Sequence, residues 1–190
     1  MRLTVSGALP AGKGEGDDLD PRTPGGMVPR MLLRRTLALL LPGLAAAGTP
    51  ARAQTGPQPR LPAERLVIVS RDGTRRHEFR VEMAVQPEQQ TVGLMFREAV
   101  GPDEGMLFDW GAPRESSMWM RNTLVPLDML FIAADGRVHR IAERTVPHSL
   151  DLVGAAAPAR AVLEVNGGTA ARLGIRPGDR VLFPIFGNAS

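Results

Sequence analysis

The densest run of chemically capable side chains is Met118-Trp-Met-Arg-Asn-Thr-Leu-Val-Pro-Leu-Asp-Met-Leu-Phe131. It reads as two strands around a turn at Thr123–Pro126, which sets Asn122 opposite Leu127, Arg121 opposite Asp128 and Met120 opposite Met129. Side chains alternate sides along a strand, so Met118, Met120, Met129 and Phe131 share an apolar face and Trp119, Arg121, Asp128 and Leu130 share the other. A loop one residue longer would lose the Arg121–Asp128 pairing. An aromatic plate beside a charged pair can hold a sugar ring or another small polar ligand. Trp119, Arg121, Asn122 and Asp128 are therefore ligand-binding candidates. A structural ion pair that fixes the hairpin register explains the same residues without a ligand, and Asn122-Thr123 can simply make the turn.

Other chemistries find less to build on. Glycoside hydrolysis needs two carboxyls roughly 5–9.5 Å apart, and Glu104 with Asp128, or Glu143 as a spare, are the catalytic candidates. Spacing alone does not bring them together. A serine hydrolase lacks its G-x-S-x-G elbow, and Ser116, Ser117 and Ser149 have no base context. His77, His139 and His148 are scattered without metal-ligand spacing, so no metal site and no cofactor are expected. Met83, Met95, Met106, Met118, Met120 and Met129 could offer thioethers to a soft metal, but each sits among apolar residues, where methionine fills cores. His148, in an irregular segment beside Asp151, is the histidine whose position could be functional.

Charge excludes one class of partner. The 190 residues carry 23 Lys or Arg against 20 Asp or Glu, a net charge of +3, with a sequence pI near 10.7. The excess lies wholly in residues 1–53: Arg2, Lys13, Arg22, Arg30, Arg34, Arg35 and Arg52 stand against Glu15, Asp17, Asp18 and Asp20. Residues 54–190 hold sixteen of each sign, which is no nucleic-acid footprint.

Those first residues read as an address. From Met31, a basic start with Arg34-Arg35 leads into an apolar run, Leu37–Ala47, and then Ala51-Arg-Ala53, the pattern of a secretory signal peptide. The run is too short for a membrane span, which needs ~20 residues. Arg34-Arg35-Thr36-Leu37 also resembles a twin-arginine signal. Residues 1–30 read as a mis-called start, with translation from Met27 or Met31, or as a disordered extension. Cleavage near Ala53 would release a periplasmic or secreted protein with no transmembrane segment. With no cysteine, that protein must hold itself by its core, and all eight aromatics lie within it.

The elements that position the candidates read as mainly β. After a Pro-rich tether over 54–64, strands are expected at Leu66–Ser70, His77–Met83, Gly105–Trp110, Ser116–Arg121, Leu127–Ala133, Arg137–Thr145, Ala159–Val165 and Arg180–Phe183. Asp72-Gly73 and Asp135-Gly136 mark hairpin turns. Pro87–Met95 and Gly168–Leu173 read as short helices, and Thr145–Pro158 as a long loop. The expectation is one domain over 65–186, a small jelly-roll-like β-sandwich or a barrel with one or two short helices.

Gly93-Leu-Met-Phe-Arg97, Glu104-Gly-Met-Leu-Phe108, Trp119-Met-Arg-Asn-Thr123, Pro126-Leu-Asp128 and Val162-Leu-Glu164, followed by Gly174-Ile175 and Gly178-Asp179, resemble the domain of unknown function 192 family. The resemblance spans Phe79 to about Phe183. It implies a small β-sandwich that is often exported, and it implies no activity, substrate or catalytic residue. The expected function is thus an exported, monomeric binding or accessory module of the cell envelope, taking a small polar ligand or envelope glycan. A glycan-acting hydrolase using Glu104 and Asp128, and a structural domain with no ligand site, are the alternatives.

Overall fold

The computed structural model describes residues 55–189. The segments read as a start extension (1–30) and a signal peptide (31–53) lie outside the described residues. The strands are β1 Ala63–Val69, β2 Arg76–Ala84, β3 Glu104–Arg114, β4 Ser117–Met118, β5 Leu127–Ile132, β6 Val138–Thr145, β7 Val153–Gly154, β8 Ala159–Asn166 and β9 Arg180–Leu182. Two short helices accompany them, α1 Pro87–Val92 and α2 Thr169–Leu173. None is long and apolar enough to cross a membrane.

Seven strands form one sheet in the order β6-β5-β8-β3-β2-β1-β9, and β4 pairs with β7 in a separate small ladder. The domain is mainly β, as its strand spacing predicts, and the large sheet curls into a half-barrel. Its two edges touch at one end through a bridge between Arg137 and Arg180, where Val138 donates to the Asp179 carbonyl at 2.8 Å and Val181 to Gly136 at 2.7 Å. Both Asp-Gly turns join antiparallel neighbours, β1 to β2 at Gly73 and β5 to β6 at Gly136. β2 and β3 are parallel, so the chain between them crosses over, and α1 lies in that crossover.

Period-two alternation sorts the sheet into two cores. Leu107, Leu130, Leu163 and Val165 face a cluster with Val138, Ala170 and Val181, enclosed by the curl. Met106, Phe108, Met129, Phe131 and Val162 face the other side, under Leu94, Met120 and Ala155. The central strands lie close: a Cβ on Gly105 would stand 2.4 Å from the Glu164 carbonyl oxygen. Gly105→Ala should push β3 off β8 and cost about 2 kcal/mol, read as a lower urea midpoint at unchanged slope.

The expected hairpin across Met118–Phe131 is overturned. Strand structure ends at Met118, and residues 119–126 turn, with Thr123 donating to the Met120 carbonyl at 3.0 Å. Asn122 has φ 55°, a left-handed conformation that asparagine tolerates better than most residues. β5 pairs with β6 on one side and β8 on the other, so Asp128 lies opposite Val165 and does not meet Arg121. The long loop over 145–158 contains β7, the partner of β4.

Candidate functional site

Asp128 is fully buried, but its partners are backbone. One carboxylate oxygen accepts from the amides of Arg144 at 2.7 Å and Gly168 at 2.9 Å, and the other from Ala170 at 2.8 Å. Arg144 has φ 48° and sits by a register shift between β5 and β6. The carboxylate therefore clamps an irregular stretch of β6 to the first turn of α2. Three of its roughly four acceptor sites are thus taken by backbone amides.

Glu104 does not join it. Gly105, Val165 and Asp128 lie in one cross-strand row and share a face, so Glu104, one residue away, points to the opposite side of the sheet. The Glu104 carboxylate stands 3.7 Å from Arg60. The paired-carboxylate site is corrected on this geometry: the sheet separates the two acids. Among the described residues no group of three or more His, Cys, Asp or Glu side chains is placed to hold a metal.

The next row of the sheet holds an acid of another kind. Glu82 pairs across to Met106, Met106 to Glu164, and Glu164 to Met129. Both glutamates are 4 % exposed, and their surroundings are opposite. Burial alone would raise Glu82, but the Leu61 amide, Arg60 and the buried Arg97 outweigh it and hold the carboxyl below its ordinary value. Glu164 lies between two methionines, has no hydrogen-bond or ion-pair partner for its carboxyl among the described residues, and is pushed up to about 8 by burial.

Glu164 faces a cavity of about 420 Å³. Phe108, Trp110 and Trp119 give it aromatic walls, Met95 and Met118 add thioethers, and Arg114 stands at its exposed rim. Local chemistry explains the walls. Pro87 opens α1, and Gln90 pins it to the sheet through the carbonyls of Ala84 at 3.1 Å and Asp109 at 2.7 Å. Gly93 ends it at φ 51°, where a Cβ would come within 3.0 Å of the Phe108 ring; glycine lets the chain pass that ring. The turn at 119–123 forms the far wall, tied across by the Phe96 amide on the Asn122 carbonyl at 2.8 Å. Gln58, from the Pro-rich segment, bonds the carbonyls of Gln89 and Gly93.

Most of this chain falls within the match to a family model. The DUF192 family model, described as uncharacterized ACR, matches residues 67–183. The chain belongs to the DUF192 family. The matched span contains α1, the turn at 119–123 and Glu164, hence most of the cavity. Two solved structures of similar proteins share the fold. One, described as a "putative transcription regulator" from Sinorhizobium meliloti 1021, is 48% identical with a TM-score of 0.63, over 65% of this chain and 95% of that one. A protein of unknown function from Novosphingobium aromaticivorans DSM 12444 is 46% identical with a TM-score of 0.62, over 65% of this chain and 86% of that one. Among curated proteins no match is found.

The DUF192 domain thus places the sequence candidates unevenly. Trp119, 39% exposed, lines the cavity. Arg121 is exposed and lies over the Trp119 ring at 5.4 Å. Asn122 shapes the turn, its side-chain amide 3.9 Å from the Met95 sulfur. His148, at φ 63°, donates its amide to Thr123 at 3.2 Å and is not among the lining residues. Asp128 and Glu104 lie elsewhere. Glu164 and Arg114 are the site residues that pattern reading passes over, and Met95 is one it offers only as a thioether for a soft metal. The signal for Glu164 was present: an ionisable residue in the apolar run Ala161-Val-Leu-Glu-Val165.

Proposed function

We propose that the protein is an exported binding module of the cell envelope that holds a small ligand against Glu164. The observation that carries this reading is a carboxyl 4 % exposed, without a partner among the described residues, facing a cavity walled by three aromatic rings. Such a group costs stability unless something fills the cavity and answers it. A hydrolase reading would need a second carboxyl, and Glu164 is the sole acid among the described lining residues. A nucleic-acid role finds no support in sixteen balanced charges of each sign over residues 54–190. The basic, apolar and A-x-A pattern over residues 31–53 supports export, and N-terminal sequencing of the native protein tests it: a first residue near Gln54 is expected.

Ligand binding has a built-in reporter. The chain has two tryptophans, Trp110 and Trp119, and both line the cavity. Titration with peptidoglycan fragments, envelope sugars and small amines should give a saturable shift in tryptophan emission for at least one of these classes, reduced in Trp119→Phe. A flat response across all of them would remove the binding reading.

A further inference from the structure

We infer that the cavity takes an organic monocation, a protonated amine or quaternary ammonium on a small apolar body, with its charge seated on Glu164. This rests on the binding reading above and names the ligand's class. Three of the cavity's polar side chains already have backbone partners, Gln90 on the Ala84 and Asp109 carbonyls, Thr91 on that of Pro87 and Thr123 on that of Arg121, whereas the Glu164 carboxyl has none among the described residues. The cavity lining holds that carboxyl with the rings of Phe108, Trp110 and Trp119 and the thioethers of Met95 and Met118. A sugar or other polyol needs several directional polar partners, and besides Glu164 those left for it among the described lining residues are few: Ser117, Arg114 and the Trp110 indole N–H. A cation needs only the countercharge and the ring faces, whose quadrupoles attract it without hydrogen bonds.

The protein already shows that these rings accept cations. The Arg114 guanidinium lies 4.2 Å from the Trp110 ring centroid, and that of Arg121 lies 5.4 Å from the Trp119 centroid. Both arginines are exposed, so solvent screens their repulsion of a cation deeper in the cavity. A volume of about 420 Å³ lies in the range of small-ligand pockets, about 300–1,000 Å³. Glu82 supplies the internal comparison. On the same face it holds Arg97 at 2.9 Å and Arg60 at 2.7 Å, so a buried carboxylate in this sheet is satisfied by cations when the chain provides them. At Glu164 the described residues provide none, and the ligand takes that part.

Ionisation links binding to pH. Empty, the Glu164 carboxyl holds its proton up to about pH 8; a bound cation requires the carboxylate, so the proton leaves on binding. Among the described residues no other charged group is placed against it. Its neighbours across the sheet are Met106 and Met129, and α1 presents Gln90. Arg114 stands at the rim, Arg97 and Glu82 pair with each other, and His139 is occupied with the Ala155 carbonyl at 3.0 Å, outside the lining.

Calorimetric titration of the full chain with choline, and with its neutral carbon isostere 3,3-dimethyl-1-butanol, tests the inference. A parallel pair, n-pentylamine and n-pentanol, separates quaternary from primary cations. At least one cation should bind at least tenfold more tightly than its isostere. Choline, if it is the cation that binds, should gain about 50-fold in affinity between pH 6 and pH 8, following the ionised fraction of a carboxyl at about 8. Glu164→Gln should erase both the preference and the pH dependence. Equal binding of cation and isostere, or a preference that persists in Glu164→Gln, overturns the inference. If both cations fail while peptidoglycan or sugar fragments still shift the tryptophan emission, the charge assignment falls and the binding reading stands.

Discussion

Asp128→Ala should destabilise the domain by about 3–5 kcal/mol, because it strips one carboxylate from three backbone amides at a site with no water access. Each lost charge-assisted bond contributes roughly 1.5–3 kcal/mol, and the orphaned amides add a desolvation cost. Partial relaxation of the Arg144 bulge and the first turn of α2 keeps the total below the simple sum. Asp128→Asn separates geometry from charge. Its amide oxygen can still serve Arg144 and Gly168, but its NH2 then meets the Ala170 N–H, donor against donor, so a loss of about 2 kcal/mol is expected. Arg121→Ala is the control: the side chain is exposed, lies over the Trp119 ring and among the described residues makes no ion pair with Asp128, so the change should stay within about 0.5 kcal/mol. Urea unfolding of the three variants decides the matter. Equal losses for Asp128→Ala and Arg121→Ala would restore the ion pair, and a neutral Asp128→Ala would refute the clamp.

Much of the architecture was legible, and the reason is local. Strand spacing, the turns at Gly73 and Gly136, Pro87 opening α1 and Gly174 closing α2 are short-range features, and each appears where its chemistry requires. The hairpin failed because local alternation is ambiguous about partners. Met118–Arg121 and Leu127–Phe131 match each other in period, but Leu127–Ile132 also matches Ala161–Asn166, far along the chain, and that pairing won by burying both faces. Arg121 and Asp128 looked complementary because side-chain charge is visible in a sequence. The backbone amides that hold Asp128 are carried by every residue except proline, so nothing in the pattern singles them out. Glu164 was half legible: its face follows from period two, but its burial depends on α1 and the turn at 119–123 covering that face.

That burial makes Glu164 a cost whose size can be read from pH. In the unfolded chain its carboxyl titrates near its ordinary 4.5, whereas in the fold it titrates at about 8. Below about pH 4.5 both states are protonated and the residue is neutral to stability. Between about 4.5 and 8 the folded state binds the extra proton, so stability falls as pH rises, at up to about 1.4 kcal/mol per pH unit. Above about 8 the full penalty is present and approaches 5 kcal/mol. Glu164→Gln removes the titration and nearly keeps the volume. Its melting curve should coincide with wild type near pH 4 and lie well above it at pH 9, whereas a difference that does not change with pH would show that the carboxyl is answered inside the protein. A saturating cation of the kind inferred should close the gap from the wild-type side at pH 9, because the charge that destabilises the empty domain is then paired. The same group would thus weaken the free protein and recognise its ligand, the exchange of stability for function expected of a binding site.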